Sequence, residues 1–235
     1  MEGESTTTTT TTTKTTTKTT TAGLRLCMDA SAMEAGIDEA GRGCLAGPVV
    51  AAAVVWNPEL DDHPMLALVR DSKRLSPGQR AKARAFIEEN AIAYAVRFVD
   101  APRIDGVNIL RATFEAMHGA VDDLGLEVDA LLVDGDRFPV YVSGGTGEFV
   151  PHTLVIEGDD KFVSIAAASV LAKTHRDEYV ATVMHAAHPE YGWDRNKGYG
   201  SAEHMDALRR LGPTPFHRLT FGGVLGPRVG SSAKP

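Results

Sequence analysis

The sequence predicts an α/β fold in which helices pack against a mixed β-sheet. The apolar block Val49–Trp56 is rich in β-branched residues and lies between Pro48 and Pro58, which is typical of a buried strand. Strands come close together early in the chain and alternate with helices later. This order indicates a sheet that contains both antiparallel and parallel neighbours.

The first half of the chain continues with two predicted helices and a strand. A helix is expected from Pro77 to about Asn90, because Ser76 can cap its first turn and proline suits its first position. A short strand is expected over residues 91–99. Residues 102–124 are expected to form one helix, because apolar residues recur at spacings of four and three. They are Leu110, Phe114, Met117, Val121 and Leu124.

The second half alternates strands and helices. A short strand over 128–133 stops at an aspartate, and a polar, glycine-rich insert over 143–147 precedes another strand over 153–156. An alanine-rich helix is expected over 165–185, with small side chains that allow close packing on a sheet. Residues 201–211 form one more predicted helix within a region rich in glycine and proline.

The domain organisation follows from composition. Residues 1–21 are nearly all threonine with occasional lysine, so they have no apolar face to bury and are expected to be a disordered tail. The folded part is expected to start near Leu24 or near Met33. One domain is expected over 33–222, including a helical C-terminal part, followed by a flexible tail over 223–235. With 235 residues, of which 43% are hydrophobic, the chain can build a sizeable core.

Charge and cysteine content limit the function classes. The formal net charge is −7, but the chain from His185 onward carries seven Lys/Arg against four Asp/Glu, so a basic segment could follow phosphates. Cys27 and Cys44 are the only cysteines, which excludes a disulfide framework. No apolar run is long enough to span a bilayer. We expect a cytoplasmic protein without membrane association.

The segment 36–48 contains the strongest functional signal. Asp38 and Glu39 are adjacent carboxylates, the ligand type that a hard divalent metal ion prefers. They lead into Gly41-Arg42-Gly43, where glycine allows a close backbone approach and arginine suits a phosphate. Metal ligands and a phosphate-binding loop would thus lie within six residues of each other.

Two other interpretations of this segment are open. Gly41, Gly43 and Ala46 match the loose dinucleotide-binding pattern, but that pattern needs a helix after the glycines, whereas a proline and a valine-rich strand follow here. The second alternative is a glycine-rich turn between two strands with solvated acids beside it, which is the commoner structure for such a stretch alone.

Carboxylates recur where predicted strands give way to glycine turns. Asp38 with Glu39, Asp134 and Asp159 each follow an apolar run. If the strands are neighbours, four carboxylates converge at one end of the sheet, and their repulsion favours a bound cation. An all-oxygen ligand set with open positions favours Mg²⁺ or Mn²⁺ over zinc, and two such ions can activate water against a phosphodiester.

A second glycine-rich loop suits a nucleic-acid substrate. Asn196-Lys197-Gly198-Tyr199-Gly200 offers a cation and an aromatic ring on a flexible backbone. Tyr199 could stack on a base or a sugar, and a half-buried core tyrosine is an equally good interpretation from sequence alone.

Together these motifs resemble ribonuclease HII, the type 2 ribonuclease H family, over roughly residues 33 to 222. The matching motifs are Gly36-Ile37-Asp38-Glu39-Ala40-Gly41-Arg42-Gly43, Asp71-Ser72-Lys73-x-Leu75, Val133-Asp134-Gly135, Gly158-Asp159, Ser164-Ile165-Ala166-Ala167-Ala168-Ser169 with Ala172-Lys173 and Arg176-Asp177, and Asn196-Lys197-Gly198-Tyr199-Gly200. The resemblance implies a ribonuclease H-like fold with a helical C-terminal extension. It implies cleavage of RNA in RNA–DNA hybrids, and cleavage 5′ of single ribonucleotides in duplex DNA that leaves a 3′-hydroxyl and a 5′-phosphate.

The resemblance also implies the site residues. Metal binding and catalysis fall on Asp38, Glu39, Asp134 and Asp159, with two Mg²⁺ or Mn²⁺ ions. Substrate binding falls on Gly41, Arg42 and Gly43, which read the ribose 2′-hydroxyl, on the junction-sensing Tyr199, and on Lys73 and Lys197. The partner is nucleic acid, an RNA–DNA hybrid or a ribonucleotide-containing duplex, and the protein is expected to act as a monomer.

The chain departs from the family pattern at three places, one of which is Ser201 in place of a common threonine. The segment between Asp134 and Asp159 is longer than usual, and Asp160 stands where the family often has serine, so either Asp159 or Asp160 could be the fourth ligand. Asp136 and Asp177 are expected not to be ligands. A non-catalytic nucleic-acid-binding protein and another metal-dependent nuclease or phosphotransferase of the same fold are the alternative functions.

Overall fold

A computed structural model describes residues 18–20 and 23–225. Its centre is a five-stranded sheet in the order β3-β2-β1-β4-β7. The strands are β1 (Glu34–Ala40), β2 (Val49–Val55), β3 (Ala93–Val99), β4 (Ala130–Asp134) and β7 (His152–Val155). The first three are antiparallel neighbours, while β4 runs parallel to both β1 and β7. The predicted mixed sheet is therefore confirmed.

Helices cover both faces of the sheet. They are α1 (Pro77–Asn90), α2 (Ala101–Val107), α3 (Ile109–Asp122) and α4 (Val163–Tyr179), followed by a π-helical turn (Val180–Met184) and the short α5 (His185–Ala187), α6 (Trp193–Asn196) and α7 (Ala202–Leu211). Helix α3 packs on one face with the side chains of Ile37 and Val133, and α4 packs on the other with that of Val54. Each face therefore has its own hydrophobic core.

The central helix approaches β1 without a side chain between them. A Cβ atom added at Gly36 would lie 2.3 Å from the backbone carbon of Ser164. The small side chains of α4 allow this approach, since Ala166, Ala167 and Ala168 are completely buried. The alanine-rich composition thus sets the spacing between helix and sheet.

One sequence prediction needs correction, and the structure specifies two further segments. Residues 102–124 form two helices, because Asn108 takes a positive φ of 75° and its side chain caps the first turn of α3 by accepting the N–H of Arg111. The insert is structured, since β5 (Tyr141–Val142) pairs with β6 (Phe149–Val150) in a hairpin. Asp159 lies beyond its strand, in the 3₁₀ turn Gly158–Asp160.

The packed region includes Leu24, the earlier of the two expected starts of the folded part. Leu24 and Leu26 are buried in the core on the α4 face, Thr20 is also buried, and Lys18 forms an ion pair with Asp61. The expectations for residues 1–17, 21, 22 and 226–235 lie outside the described residues. Within the described part of the chain, no helix combines the length and the hydropathy that a membrane span requires.

Candidate active site

Two adjacent carboxylates emerge near the end of β1 on opposite faces of the sheet, as neighbouring strand residues do. Asp38 is only 7% exposed, accepts the N–H of Glu39 at 2.6 Å, and is hydrogen-bonded by the hydroxyl of Ser169 on α4. Ser169 in turn lies 3.2 Å from the hydroxyl of Ser72. Glu39 faces α3 and lines a cavity of about 330 Å³ together with Thr113.

The parallel pairing of β4 with β1 brings a third carboxylate level with the first two. Ile37 is opposite Val133, so the next residues, Asp38 and Asp134, leave the two strands side by side. Asp134 also lines the cavity that contains Glu39, and its Oδ1 accepts the backbone N–H of Gly158 at 2.7 Å. The turn that carries Asp159 is thereby joined to the end of β4.

The carboxylates affect one another's pKa values. Burial first, and then the charges of Glu39 and Asp134, raise the pKa of Asp38 well above its usual range. Burial and Asp134 also raise the pKa of Glu39, although Arg42 opposes this. Burial followed by Asp134 raises the pKa of Asp159 to about 6. Asp134 is the one carboxylate that acts on all three others.

The remaining acids fall into other pairings. Asp160 turns outward and forms an ion pair with Arg74 at 3.1 Å, whereas Asp159 is buried. Asp136 is exposed, and Asp177 is paired with Lys173 at 2.9 Å. Exposed Lys73 lies near enough to Asp159 to lower that group's pKa against the other influences.

The donor set suits hard divalent cations. The four predicted ligands offer carboxylate oxygens. Burial and mutual repulsion both disfavour the charged forms of Asp38 and Asp159, and a bound cation would offset both effects. No three His, Cys, Asp or Glu side chains in the described ranges lie close enough to hold an ion as they stand. The donor chemistry therefore fits a hard cation, and in the present structure Arg42 is the partner of Glu39.

The loop after β1 is anchored by hydrogen bonds from a buried arginine side chain. Arg218 donates from NH2 to the carbonyl of Gly41 at 2.7 Å, from NH1 to that of Arg42 at 2.8 Å, and from Nε to that of Gly47 at 3.0 Å. The side chain of Arg42 points outward and pairs with Glu39 at 3.0 Å. Within the part of the chain that the structure describes, the backbone N–H groups of Arg42 and Gly43 have no protein acceptor.

The loop with Tyr199 is bonded directly to this first loop. The carbonyl of Gly198 accepts the N–H of Leu45 at 2.9 Å and that of Ala46 at 3.3 Å. The Tyr199 side chain is half exposed, its hydroxyl meets the thiol of Cys44, and Lys173 lies 5.8 Å from its ring centroid. Burial and Cys44 raise the pKa of this tyrosine. The structure thus brings the two glycine-rich loops to one surface.

Lys197 lies on the same loop with a positive φ of 53°, which is uncommon for a residue other than glycine. Its backbone carbonyl is bonded to Arg176, so the loop conformation is fixed while the ammonium group extends from it.

The sequence did not predict that buried side chains would support these loops. Arg176 and Arg218 are completely buried, and His204 donates from Nδ1 to the carbonyl of Tyr199 at 2.8 Å. The available signal was the charged Arg176 in an otherwise apolar, alanine-rich stretch. Nothing in the spacing of His204 or Arg218 indicates which carbonyl they would reach.

The comparison with known families now becomes decisive, because the family model for ribonuclease HII matches residues 35–224. The chain belongs to the ribonuclease HII family. It is 49% identical to the ribonuclease HII of Bacteroides thetaiotaomicron over 189 residues, covering 80% of this chain and 89% of that protein. As a member of the ribonuclease HII family it is an enzyme, a metal-dependent endoribonuclease of the ribonuclease H type.

Solved ribonucleases share the fold. The ribonuclease H2 of Pyrococcus horikoshii OT3 superposes with a TM-score of 0.65 at 25% identity, covering 81% of this chain and 94% of that one. The Bst ribonuclease HIII, solved with Mn²⁺, superposes with a TM-score of 0.52 at 20% identity, covering 81% and 67%. The ribonuclease H-like sheet and the helical C-terminal part that the sequence resemblance implied are therefore confirmed for this ribonuclease HII chain.

Proposed function

We propose that this enzyme hydrolyses the RNA strand of RNA–DNA hybrids and cuts on the 5′ side of single ribonucleotides in duplex DNA. The products are a 3′-hydroxyl and a 5′-phosphate, and the enzyme acts as a monomer. One observation carries the proposal. Among the described residues, a glycine loop whose Arg42 and Gly43 N–H groups have no protein acceptor is hydrogen-bonded to the loop of the half-exposed Tyr199, near the carboxylates at the ends of β1 and β4. A general phosphodiesterase needs the carboxylates but does not need groups that recognise the ribose.

The metal ligands we propose are Asp38, Glu39, Asp134 and Asp159, with two Mg²⁺ or Mn²⁺ ions. Such a pair of ions activates water and stabilises the oxygen that leaves the phosphodiester. The protein orients its ligands through Ser169, which hydrogen-bonds Asp38, and through the N–H of Gly158, which bonds Asp134. These contacts reduce the freedom of the carboxylates before substrate arrives.

Asp159 is preferred to Asp160 as the fourth ligand. Asp159 is buried and its pKa responds to Asp134, whereas Asp160 faces outward and already has a cation as its partner, Arg74. A carboxylate that is paired with arginine on the surface has less to gain from a metal ion than one that is buried beside another carboxylate.

The substrate is recognised by the two loops. Arg218 already binds the carbonyls of Gly41 and Arg42, so these acceptors are not available to a ligand. The backbone groups that remain available include the N–H groups of Arg42 and Gly43. An N–H group can donate to the 2′-hydroxyl, the group that distinguishes RNA from DNA at a given nucleotide. Tyr199 supplies a face for stacking at the RNA-to-DNA junction, and Lys73 and Lys197 contact phosphates.

The test is cleavage of three duplexes of one sequence: all DNA, DNA with one central ribonucleotide, and an RNA–DNA hybrid. We expect cleavage of the last two only, loss of activity with a chelator, and recovery with Mg²⁺ or Mn²⁺. End analysis should show a 3′-hydroxyl on the upstream fragment. Cleavage of the all-DNA duplex at a similar rate would favour a general metal-dependent nuclease instead.

A further inference from the structure

Arg176 on α4 joins the two substrate-binding loops. Its side chain is completely buried, and the guanidinium donates to backbone carbonyls rather than to a close carboxylate. Nε donates to Pro48 at 2.9 Å and NH2 to Ala46 at 3.2 Å, both on the first loop, while NH1 donates to Lys197 at 3.0 Å on the second. The carboxylate of Asp177 is 4.0 Å away. One rigid group therefore spans both loops.

The fit around this guanidinium is tight on both sides. A Cβ atom added at Gly41 would lie 2.0 Å from Nε of Arg176. One added at Gly198 would lie 2.4 Å from the carbonyl oxygen of Ala46 and 3.5 Å from NH2 of Arg176. Since a guanidinium is planar and presents its N–H groups in a fixed fork, the positions of the three carbonyls relative to one another are fixed as well. The glycines permit the loops to close on it.

We infer that Arg176 is a positioning residue that sets the separation between the Gly41–Gly43 loop and Tyr199. This separation matters most when the enzyme must recognise one ribose and the adjacent RNA-to-DNA junction at the same time. Arg176 therefore determines the preference for a single embedded ribonucleotide over a continuous RNA strand. The inference rests on the proposed function, since it assigns a structural basis to the proposed recognition step.

Arg218 provides a matched control for Arg176. That arginine is equally buried and also donates to three backbone carbonyls, but all three, of Gly41, Arg42 and Gly47, belong to the first loop. Replacing it disturbs the first loop without releasing the second. Arg176→Lys and Arg218→Lys each retain a positive charge and replace a three-bond fork by a single ammonium, so they differ in which loops are joined.

The experiment measures single-turnover kcat/KM of the parent and both variants on the single-ribonucleotide duplex and on the RNA–DNA hybrid at one salt concentration. For Arg176→Lys we expect the ratio of the two values to fall by about tenfold, comparable to the loss of one stacking contact. For Arg218→Lys we expect losses on both substrates and an unchanged ratio. An unchanged ratio for Arg176→Lys in a folded protein overturns the inference, as does an equal fall in the ratio for both variants.

A second variant keeps the test decisive if Arg176→Lys does not fold. Gly198→Ala inserts a methyl group against the carbonyl of Ala46 and forces the loops apart without touching the guanidinium's charge. It should lower the same ratio, and an unchanged ratio would again contradict the inference. Failure of the proposed function itself looks different, because the parent enzyme would then not require a ribonucleotide at all.

Discussion

The backbone N–H of Gly158 donates to Oδ1 of Asp134 at 2.7 Å, so a carboxylate at the end of β4 also holds the turn that follows β7. This places Asp159 within electrostatic reach of Asp134. Two segments that are 24 residues apart in the chain are thereby organised around one side chain.

Asp134→Asn should abolish cleavage while the protein stays folded. Asparagine retains an oxygen for the N–H of Gly158 but removes the charge that a metal ion needs. We expect a loss greater than roughly 100-fold, the upper range for residues that merely support a metal ligand. Asp136→Asn is the control, because this neighbouring aspartate is exposed, and it should keep most of the activity. Steady-state cleavage of the hybrid and thermal unfolding are the measurements, and near-parental activity of Asp134→Asn would refute the ligand assignment.

Asp159→Asn and Asp160→Asn should separate the two candidates for the fourth ligand. We expect Asp159→Asn to weaken Mn²⁺ binding and slow cleavage strongly, because Asp159 is buried beside Asp134. Asp160→Asn should cost little, since it removes an exposed ion pair with Arg74, a type that contributes roughly 0–1 kcal/mol. Calorimetric titration of the protein with Mn²⁺ reports the result without relying on turnover. The reverse order of effects would assign Asp160 instead.

Much of this fold could be predicted because local signals agree with the tertiary structure. The capping box of Ser76 and Gln79 begins α1 where proline and serine predict it, and Val49 begins the predicted buried strand. The break at Asn108 was not predicted, although the apolar stripe begins only at Leu110 and asparagine is a favoured N-cap residue. Asn108 has a positive φ where α2 ends and α3 begins, and no periodicity specifies that conformation.

The site, too, could be predicted only in part. Carboxylates such as Asp38 and Asp134 could be proposed because they interrupt apolar runs. Their closeness depends on the parallel pairing of Ile37 with Val133, which no local pattern specifies. The buried arginines could not be assigned from sequence, because most of their partners are backbone carbonyls far along the chain, such as that of Gly41, which lies 177 residues from Arg218.

Gly36→Ala should destabilise the protein through the contact between β1 and α4. The added Cβ would lie 2.3 Å from the carbonyl carbon of Ser164 and 2.4 Å from the nitrogen of Ile165, both backbone atoms that cannot move alone. We expect a loss of at least roughly 1–3 kcal/mol of unfolding free energy, the usual range for overpacking. Gly78→Ala in α1 is the control, since its Cβ meets nothing within 4 Å, and should stabilise by roughly 0.4–1 kcal/mol. The measurement is urea unfolding of both variants. An unchanged unfolding free energy for Gly36→Ala would contradict the close contact between β1 and α4.

Truncation should locate the start of the cooperative unit. Removing residues 1–17 should leave the melting temperature unchanged, because that threonine-rich stretch has no apolar residue to bury except Met1. Removing residues 1–26 should lower it, because Leu24 and Leu26 are buried in the core on the α4 face and a buried leucine contributes roughly 2–5 kcal/mol. Differential scanning calorimetry of both truncations is the measurement. Equal melting temperatures would show that the first strand, and not Leu24, begins the cooperative unit.

Tyr199→Ala and Arg42→Ala should affect the two substrates differently. Tyr199 is 45% exposed and Lys173 lies at its ring, so its free face can stack at a junction, and such a contact is worth roughly 1–3 kcal/mol. Its loss should slow cleavage at a single ribonucleotide markedly and cleavage of a hybrid much less, because a continuous RNA strand presents no junction. Arg42→Ala should weaken both reactions, because it removes a phosphate contact that both substrates offer and also the partner of Glu39.

Single-turnover cleavage at fixed salt separates these expectations, since phosphate contacts vary with ionic strength and stacking contacts much less. The rate with Arg42→Ala should therefore lose part of its salt dependence, whereas Tyr199→Ala should keep the parental slope. Tyr199→Phe is the matched control, because it retains the ring and removes only the hydroxyl that meets Cys44. If Tyr199→Phe were as slow as Tyr199→Ala, the hydroxyl rather than the stacking face would carry recognition. Equal losses on both substrates for Tyr199→Ala would return this tyrosine to a structural role.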